Sequence, residues 1–297
     1  LASRLPEGSI TYLNYSQRLA ALPVGVFGTA LITVLYPTLA RLYSDDKSEF
    51  SRTFRRSIGI VFFALVPMAA GLMILAAPVV RLAFERGVFT AEATSATAVA
   101  LVYAAIGIPF MGLSDLTSKA FYATHDMLTP VFVNVGAVGA NVVLSLALVG
   151  SMQHAGLSLA ASCQPVASFI ILQAILRRRA ASSQRQIGHT GSAVRAAWGQ
   201  TSRETGPSRV GGYSLAASLV KSVGAAAVMW AAVSAFDPWF AARLPQSGTM
   251  AQALRLASSV GVGGAVYFGM AAVLRSEELS FAAGAVRSRL DRGRRAH

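Results

Sequence analysis

The chain has 297 residues, 54% of them hydrophobic and only 13% charged, with a mean hydropathy of +0.53. Soluble domains carry about 25% charged residues, so the composition argues against an ordinary soluble enzyme, a nucleic-acid-binding domain and a disordered chain. The net charge of +13 is spread between long apolar runs rather than gathered in a patch, and needs no nucleic acid to explain it.

A bilayer core about 30 Å thick is crossed by about 20 helical residues, and uncharged runs of that length order the chain. Arg18 and Arg41 enclose 22 uncharged residues, which predicts a helix over 9–42. Residues 57–80 and 93–114 are likewise uncharged and predict helices over 54–83 and 93–123. Residues 127–176 form an uncharged run of 50. The turn-like stretch from Gly150 to Gly156 divides that run into helices over 130–150 and 156–178. Only Lys221 interrupts residues 210–236, giving a helix over 212–235, and the run 256–274 gives a last one over 250–275. The expected fold is an all-α polytopic membrane bundle of about seven transmembrane helices. Alanine and glycine are frequent in the spans, as where helix backbones approach closely in lipid. The ten-residue alternation of a β-barrel is missing.

The loops sort by charge. Arg41, Lys47, Arg52, Arg55 and Arg56 crowd the first loop. Arg177, Arg178, Arg179, Arg185, Arg195, Arg203 and Arg209 crowd the fifth, and six arginines fill 275–297. The positive-inside rule places these three segments in the cytoplasm, so seven spans put the start outside and the C-terminus inside. The charge is thereby assigned to topology and to membrane lipids, whose anionic headgroups attract basic residues by roughly 1 kcal/mol each. Residues 180–211 read as a basic cytoplasmic loop or, alternatively, a helix lying on the membrane; 276–297 read as a basic cytoplasmic tail. The chain begins at Leu1 without a signal-peptide pattern and reads as a piece of a longer protein. A lone Cys163 and four scattered histidines supply neither a disulfide nor a metal cluster.

Several residues carry chemistry within this frame. Pro23, Pro37, Pro67, Pro109 and Pro165 fall in or near the spans. Interior prolines kink helices, and transporters tolerate such breaks where neighbours or a watery cavity re-satisfy the backbone. Helical spacing puts Thr11, Asn14, Tyr15 and Arg18 on one face of the first span. An arginine within a span faces a bundle interior or a watery cavity at a cost from about 3 kcal/mol upwards, and its planar fork suits phosphate. Anion binding is one reading; an interfacial arginine snorkelling to the surface is the other. Asp115 and Lys119 stand one turn apart and read as an ion pair or as gating or coupling groups. Asn141 and Ser145, also one turn apart, read as an interhelical hydrogen-bonding pair or part of a cation site. His125-Asp126 lacks a nucleophile or metal partner, and helix capping by Asp126 or Thr129 accounts for it better than catalysis. HExxH, CxxC and Gly-rich phosphate loops are missing, so neither a catalytic residue nor a cofactor or metal site is expected.

Three stretches in order resemble one family. They are 8–19 (GSITYLNYSQRL) continuing through Leu22-Pro23-Val24-Gly25-Val26-Phe27-Gly28 to 33–41 (TVLYPTLAR); Ala120-Phe121-Tyr122-Ala123 with Asp126 and Thr129-Pro130; and 154–160 (HAGLSLA). The chain resembles the MurJ (MviN) family, lipid II flippases of the multidrug/oligosaccharidyl-lipid/polysaccharide exporter superfamily. The resemblance implies a fourteen-helix protein of two pseudo-symmetric lobes plus two extra helices. Residues 1–179 would then be the C-terminal lobe, from the end of helix seven through helix twelve, and 212–275 the two additional helices. The N-terminal lobe would be the missing partner. It implies further that undecaprenyl-diphosphate-linked muropeptide, lipid II, crosses the cytoplasmic membrane by alternating access, with Arg18 at the family's cavity arginine. The pattern departs at Ala21, where some members carry an acid, and at Ser145 and Ala161, where some build a sodium site beside the position of Asn141. A polysaccharide-lipid flippase or a drug or cation antiporter of the same superfamily is the alternative.

Overall fold

The computed structural model describes residues 8–87, 89–197, 215–243 and 248–274. The tail 276–297 and residues 198–211 of the expected basic loop lie outside the described residues. Among those described there are helices and no strand. In chain order they are α1 (Ser9–Pro23), a π-helical turn (Val24–Gly28), α2 (Thr29–Asp45), α3 (Lys47–Ile74), α4 (Ala76–Phe84), α5 (Ala91–Ile106), α6 (Ile108–Ala123), α7 (Leu128–Ala197), α8 (Leu215–Ala241) and α9 (Thr249–Val273). Six stretches are long and apolar enough to cross a membrane, and the bent pair α5–α6 makes a seventh. The expected seven-span bundle is the observed fold.

Local chemistry explains the boundaries. Pro23 has no amide proton to donate, and the helix widens into the π turn immediately after it instead of ending. There the Thr29 hydroxyl donates to the Val24 carbonyl at 3.2 Å. Thus α1, the π turn and α2 form one span of 37 residues. The second span begins seven residues earlier than expected, because the Asp46 carboxylate accepts the Ser48 and Glu49 amides at 2.8 and 3.1 Å and caps α3. It is also broken at Leu75, where the backbone leaves the helical region before α4. Pro37, Pro67 and Pro165 lie inside helices that run on through them.

The third span bends by 41° at Gly107. Pro109 removes one backbone donor there, and the Gly107 amide turns to the Ala104 carbonyl at 3.0 Å. The Tyr103 carbonyl, deprived of its helical partner, accepts the Ser162 hydroxyl at 2.6 Å. One turn away the Ser158 hydroxyl donates to the Ala100 carbonyl at 2.5 Å. A Cβ on Gly107 would meet the Ser162 backbone at 3.1 Å, so glycine permits the close approach that these hydroxyls need.

Helical backbone runs through all of α7, but α7 is not a rod. Ser168 bonds Asn134 at 3.1 Å, Arg179 bonds Asp126 at 2.5 Å, and a Cβ on Gly156 would touch the Leu148 carbonyl. Residues 34 apart would lie about 50 Å apart along a straight helix, so the chain reverses at 151–154, where the turn was expected. Past the second span of α7 the helix continues to Ala197; the first eighteen residues of the expected basic loop, 180–197, are therefore helical.

Two buried clusters hold the helices. The larger joins α1 to α6 through Leu39, Ile58, Val61, Leu65, Leu101, Ile108, Leu113 and Leu116, with Phe169 of α7 packed against it. The smaller is where α8 and α9 dock on α3, around Met229, Val233, Phe63 and Tyr267. The Tyr267 hydroxyl, fully buried, donates to the Phe63 carbonyl at 2.9 Å. The half-buried pair Arg255–Asp237 ties the two added helices together, with Ser259 donating to the same carboxylate at 3.0 Å.

Candidate functional site

The first span packs one side and leaves the other open. Ser16, Leu19, Ala20, Ile32 and Leu39 are buried, while Thr11, Asn14, Arg18, Leu22, Thr29, Thr33 and Pro37 are exposed along a single stripe. Arg18 makes no hydrogen bond or ion pair to any described residue. Its guanidinium therefore offers five unused donors in a fixed fork. A side chain held for internal packing would have a carboxylate or carbonyl at hand, as Arg255 and Arg179 do.

Of the four residues expected on the face, three share it. Thr11, Asn14 and Arg18 lie on the stripe, with the Asn14 amide donating to the Ile10 carbonyl at 3.0 Å. Tyr15, at its rim, turns away. Its ring packs at a tilt against Phe84 at 4.3 Å and meets Phe89 edge-on at 5.8 Å, which anchors α1 to the end of α4 and the loop that follows it. That loop is itself pinned by the Thr94 hydroxyl, 2.8 Å from Glu85, which holds the Glu85 carboxyl below the usual range against an opposing effect of burial.

Two niches flank the stripe. The first, of about 280 Å³, lies between α1 and the two spans of α7 and is lined by Asn14, Gln17, Asn141, Ser145, Leu157 and Ala161. Asn141 and Ser145 are brought together with α1 here, the hydroxyl reaching the amide oxygen at 3.5 Å. The lining is amide, hydroxyl and methyl, without a carboxylate. It thus lacks the negative charge that a sodium site with an acid would use, and the residues do not fit such a site. Among the described residues no group of three His, Cys, Asp or Glu side chains could hold a metal.

The second niche, of about 410 Å³, lies between α2 and α6. Thr29, Thr33 and Tyr36 face Asp115, Lys119 and Tyr122 across it. Asp115 and Lys119 share the niche but form no ion pair with each other; the Lys119 ammonium instead sits 5.6 Å from the centre of the Tyr122 ring. The paired-charge reading of these two residues is corrected accordingly. Gln17, Thr29, Thr33 and Tyr36 also line these niches, beyond the residues expected from sequence. The spacing of Thr29, Thr33 and Tyr36 at i, i+4 and i+7 continues the polar stripe beyond the π turn, and was the signal available.

His125-Asp126 is a cap and a clasp. His125 takes a left-handed turn with φ 62°. Asp126 accepts the Thr129 amide at 3.0 Å and the Thr129 hydroxyl at 2.6 Å, and pairs with Arg179. These bonds hold the Asp126 carboxyl at about 2, Thr129 contributing first and Arg179 after it.

Comparison with known proteins agrees with this architecture. Residues 1–245 match the family described as lipid II flippase MurJ. A probable lipid II flippase MurJ of Rhizobium meliloti is 30% identical over 276 residues, 92% of this chain and 46% of that protein. One of Thermotoga maritima is 34% identical over 172 residues, covering 58% of this chain and 36% of the relative. The lipid II flippase MurJ of Burkholderia cenocepacia is 31% identical over 180 residues, 60% of this chain and 35% of its own. A solved structure titled lipid II flippase MurJ in an inward closed conformation superposes with a TM-score of 0.68 at 20% identity, over 92% of this chain and 48% of that one. That likeness shows the fold. The chain spans between about a third and a half of the length of these relatives. With the family pattern matched over residues 1–245, the chain belongs to the lipid II flippase MurJ family.

Proposed function

We propose that this chain is the C-terminal half of a flippase that carries undecaprenyl-diphosphate-linked muropeptide from the inner to the outer leaflet of the bacterial cytoplasmic membrane. The observation that carries the reading is Arg18: exposed, unpaired among the described residues and placed on the open stripe of a membrane span. In lipid an unpaired guanidinium is costly, whereas in a hydrated cleft closed by a second lobe it is an anion-binding group. Its fork can engage two oxygens of a diphosphate at once. Asn14 and Thr11, one and two turns above it, supply neutral hydrogen-bonding groups for the sugars next to the diphosphate.

The two lobes move as bodies in this reading. The first six helices share one core and α7 is tied to it by Ser158 and Ser162, so the lobe rocks as a unit against its N-terminal partner. Rocking exposes the arginine to one leaflet and then the other. Residues 1–179 form the lobe, 180–211 a basic cytoplasmic connection, 212–275 the two added helices and 276–297 a basic tail. The start lies outside and the C-terminus in the cytoplasm, with arginine-rich segments against anionic lipid headgroups.

The test is complementation. Joined to its N-terminal lobe, the chain should rescue a bacterium depleted of its own lipid II flippase, and the Arg18→Ala form should not. Failure of the well-expressed parent would refute the lipid II assignment and leave another exporter of the superfamily. Rescue by both forms would keep the transport reading and reduce Arg18 to an interfacial anchor.

A further inference from the structure

The niche between α2 and α6 holds two charges that do not neutralise each other. Asp115 and Lys119 are half-buried, one helical turn apart within a bent membrane span, and neither has a salt-bridge partner among the described residues. An isolated charge at membrane depth costs several kcal/mol unless water or a ligand meets it. Two opposite charges one turn apart would relieve much of that cost by pairing. Here they do not, and the Lys119 ammonium rests over the Tyr122 ring instead. Thr33 and Tyr36 of α2 add hydroxyls from the facing wall. A cavity of about 410 Å³ with one fixed cation, one fixed anion and neutral hydroxyls between them is complementary to a ligand that bears both signs.

The niche is also continuous with the arginine stripe. Thr29 and Thr33 lie on the exposed face that carries Arg18, and fifteen residues of rise separate Arg18 from Thr33 by about 22 Å. A peptide spans at most about 3.3–3.6 Å per residue, so an extended stem of about six or seven residues bridges that distance. A peptide with free carboxylates and a free amine is therefore matched in charge and in reach.

We propose that the α2–α6 niche binds the peptide stem of the transported lipid, a carboxylate on Lys119 and an ammonium on Asp115, while the diphosphate is held at Arg18. This rests on the flippase reading above and assigns a second part of the same substrate to a separate site. It gives the protein selectivity for the peptide-bearing lipid over the same lipid-linked sugars without peptide.

The experiment uses the full protein, both lobes, reconstituted in vesicles of phosphatidylethanolamine and phosphatidylglycerol. Apparent affinity and transport are measured for the undecaprenyl-diphosphate disaccharide with its peptide and without it. Lys119→Gln is expected to weaken binding of the peptide-bearing lipid about tenfold, the loss of one charge-assisted hydrogen bond, and to leave the peptide-free lipid unchanged. Asp115→Asn should act the same way when the peptide carries a free amine and have no effect when that amine is acetylated. Lys119→Arg, which keeps the charge, should retain the discrimination and so separates chemistry from misfolding. An equal loss for both lipids in Lys119→Gln would overturn the proposal in favour of a second diphosphate station, and no loss for either would overturn it outright. A parent protein that moves neither lipid overturns the flippase reading and this one with it; a parent that moves both lipids equally well overturns this one alone.

Discussion

The first and third spans are both irregular helices, widened in one and bent in the other, and the two irregularities have opposite outcomes. At Gly107 the break is answered from a neighbour: the Ser162 hydroxyl donates to the Tyr103 carbonyl, the Ser158 hydroxyl to the Ala100 carbonyl, and glycine lets the backbones meet. At the π turn after Pro23 the internal Thr29 hydroxyl is the only side-chain donor among the described residues, and the face beside it stays open from Thr11 to Pro37. A helix break in a membrane protein is thus a lock where polar groups are satisfied within the lobe. It is a working surface where they are left for something else. Proline position alone does not separate the cases, since Pro37, Pro67 and Pro165 cause no break at all.

The largest test of that contrast is on the open side. Arg18→Ala should cut transport of the diphosphate lipid about a hundredfold or more, the loss of a bidentate charge-assisted contact. It should leave thermal stability within about 0.5 kcal/mol, because Arg18 has no partner among the described residues to lose. Arg18→Lys should recover only part of the activity, since a point charge cannot reproduce the fork. A large fall in melting temperature for Arg18→Ala would show that the arginine is structural and would remove the contrast.

The closed side should behave in the reverse way. Gly107→Leu forces a side chain against the Ser162 backbone and should destabilise the full protein by about 1–3 kcal/mol. Ser162→Ala leaves the Tyr103 carbonyl without its donor and should cost about 1 kcal/mol, as interhelical hydrogen bonds in membranes do. Thermal unfolding in detergent measures both. Per-molecule transport should be retained wherever the variant remains folded; specific loss of transport with normal stability would place the bend on the working side.

Span count and most span positions were legible because crossing a membrane is a matter of length and charge, which sequence states directly. The reversal at 151–154 was legible for the same reason that Gly156 can touch Leu148: glycine and small polar residues cluster where two helices must turn tightly. The break at Leu75 was missed although Pro78 marks it: without an amide proton Pro78 cannot bond the Ile74 carbonyl, and α3 ends at that residue. The site was half legible. Arg18, Asn14 and Thr11 follow from helical spacing, but whether Tyr15 faces outward depends on Phe84 and Phe89, some seventy residues away. Asp115 and Lys119 show the limit of local reasoning. Their spacing permits a pair, yet the Lys119 ammonium sits over the ring of Tyr122 on the same helix, and the α2 wall faces both charges across the niche.

The smallest predicted effect concerns the clasp that closes the α7 hairpin against α6. Asp126 has its carboxyl held at about 2 against an ordinary 3.8, by Thr129 first and Arg179 second. A carboxyl depressed by folding stabilises the fold fully above its unfolded value and loses that contribution as pH falls. The clasp is therefore intact above about pH 4 and releases as pH drops through about 2. Asp126→Asn isolates the charge, because asparagine caps a helix about as well as aspartate but cannot pair with Arg179. The Arg179 side chain is 52% exposed, and solvent screening limits the pair to about 1 kcal/mol or less. The variant should be less stable than the parent at pH 7 by about that amount, and the difference should shrink as pH falls through about 2. A difference that stays constant over that range would mean that the neutral hydrogen bonds from Thr129, and not the charge, close the hairpin.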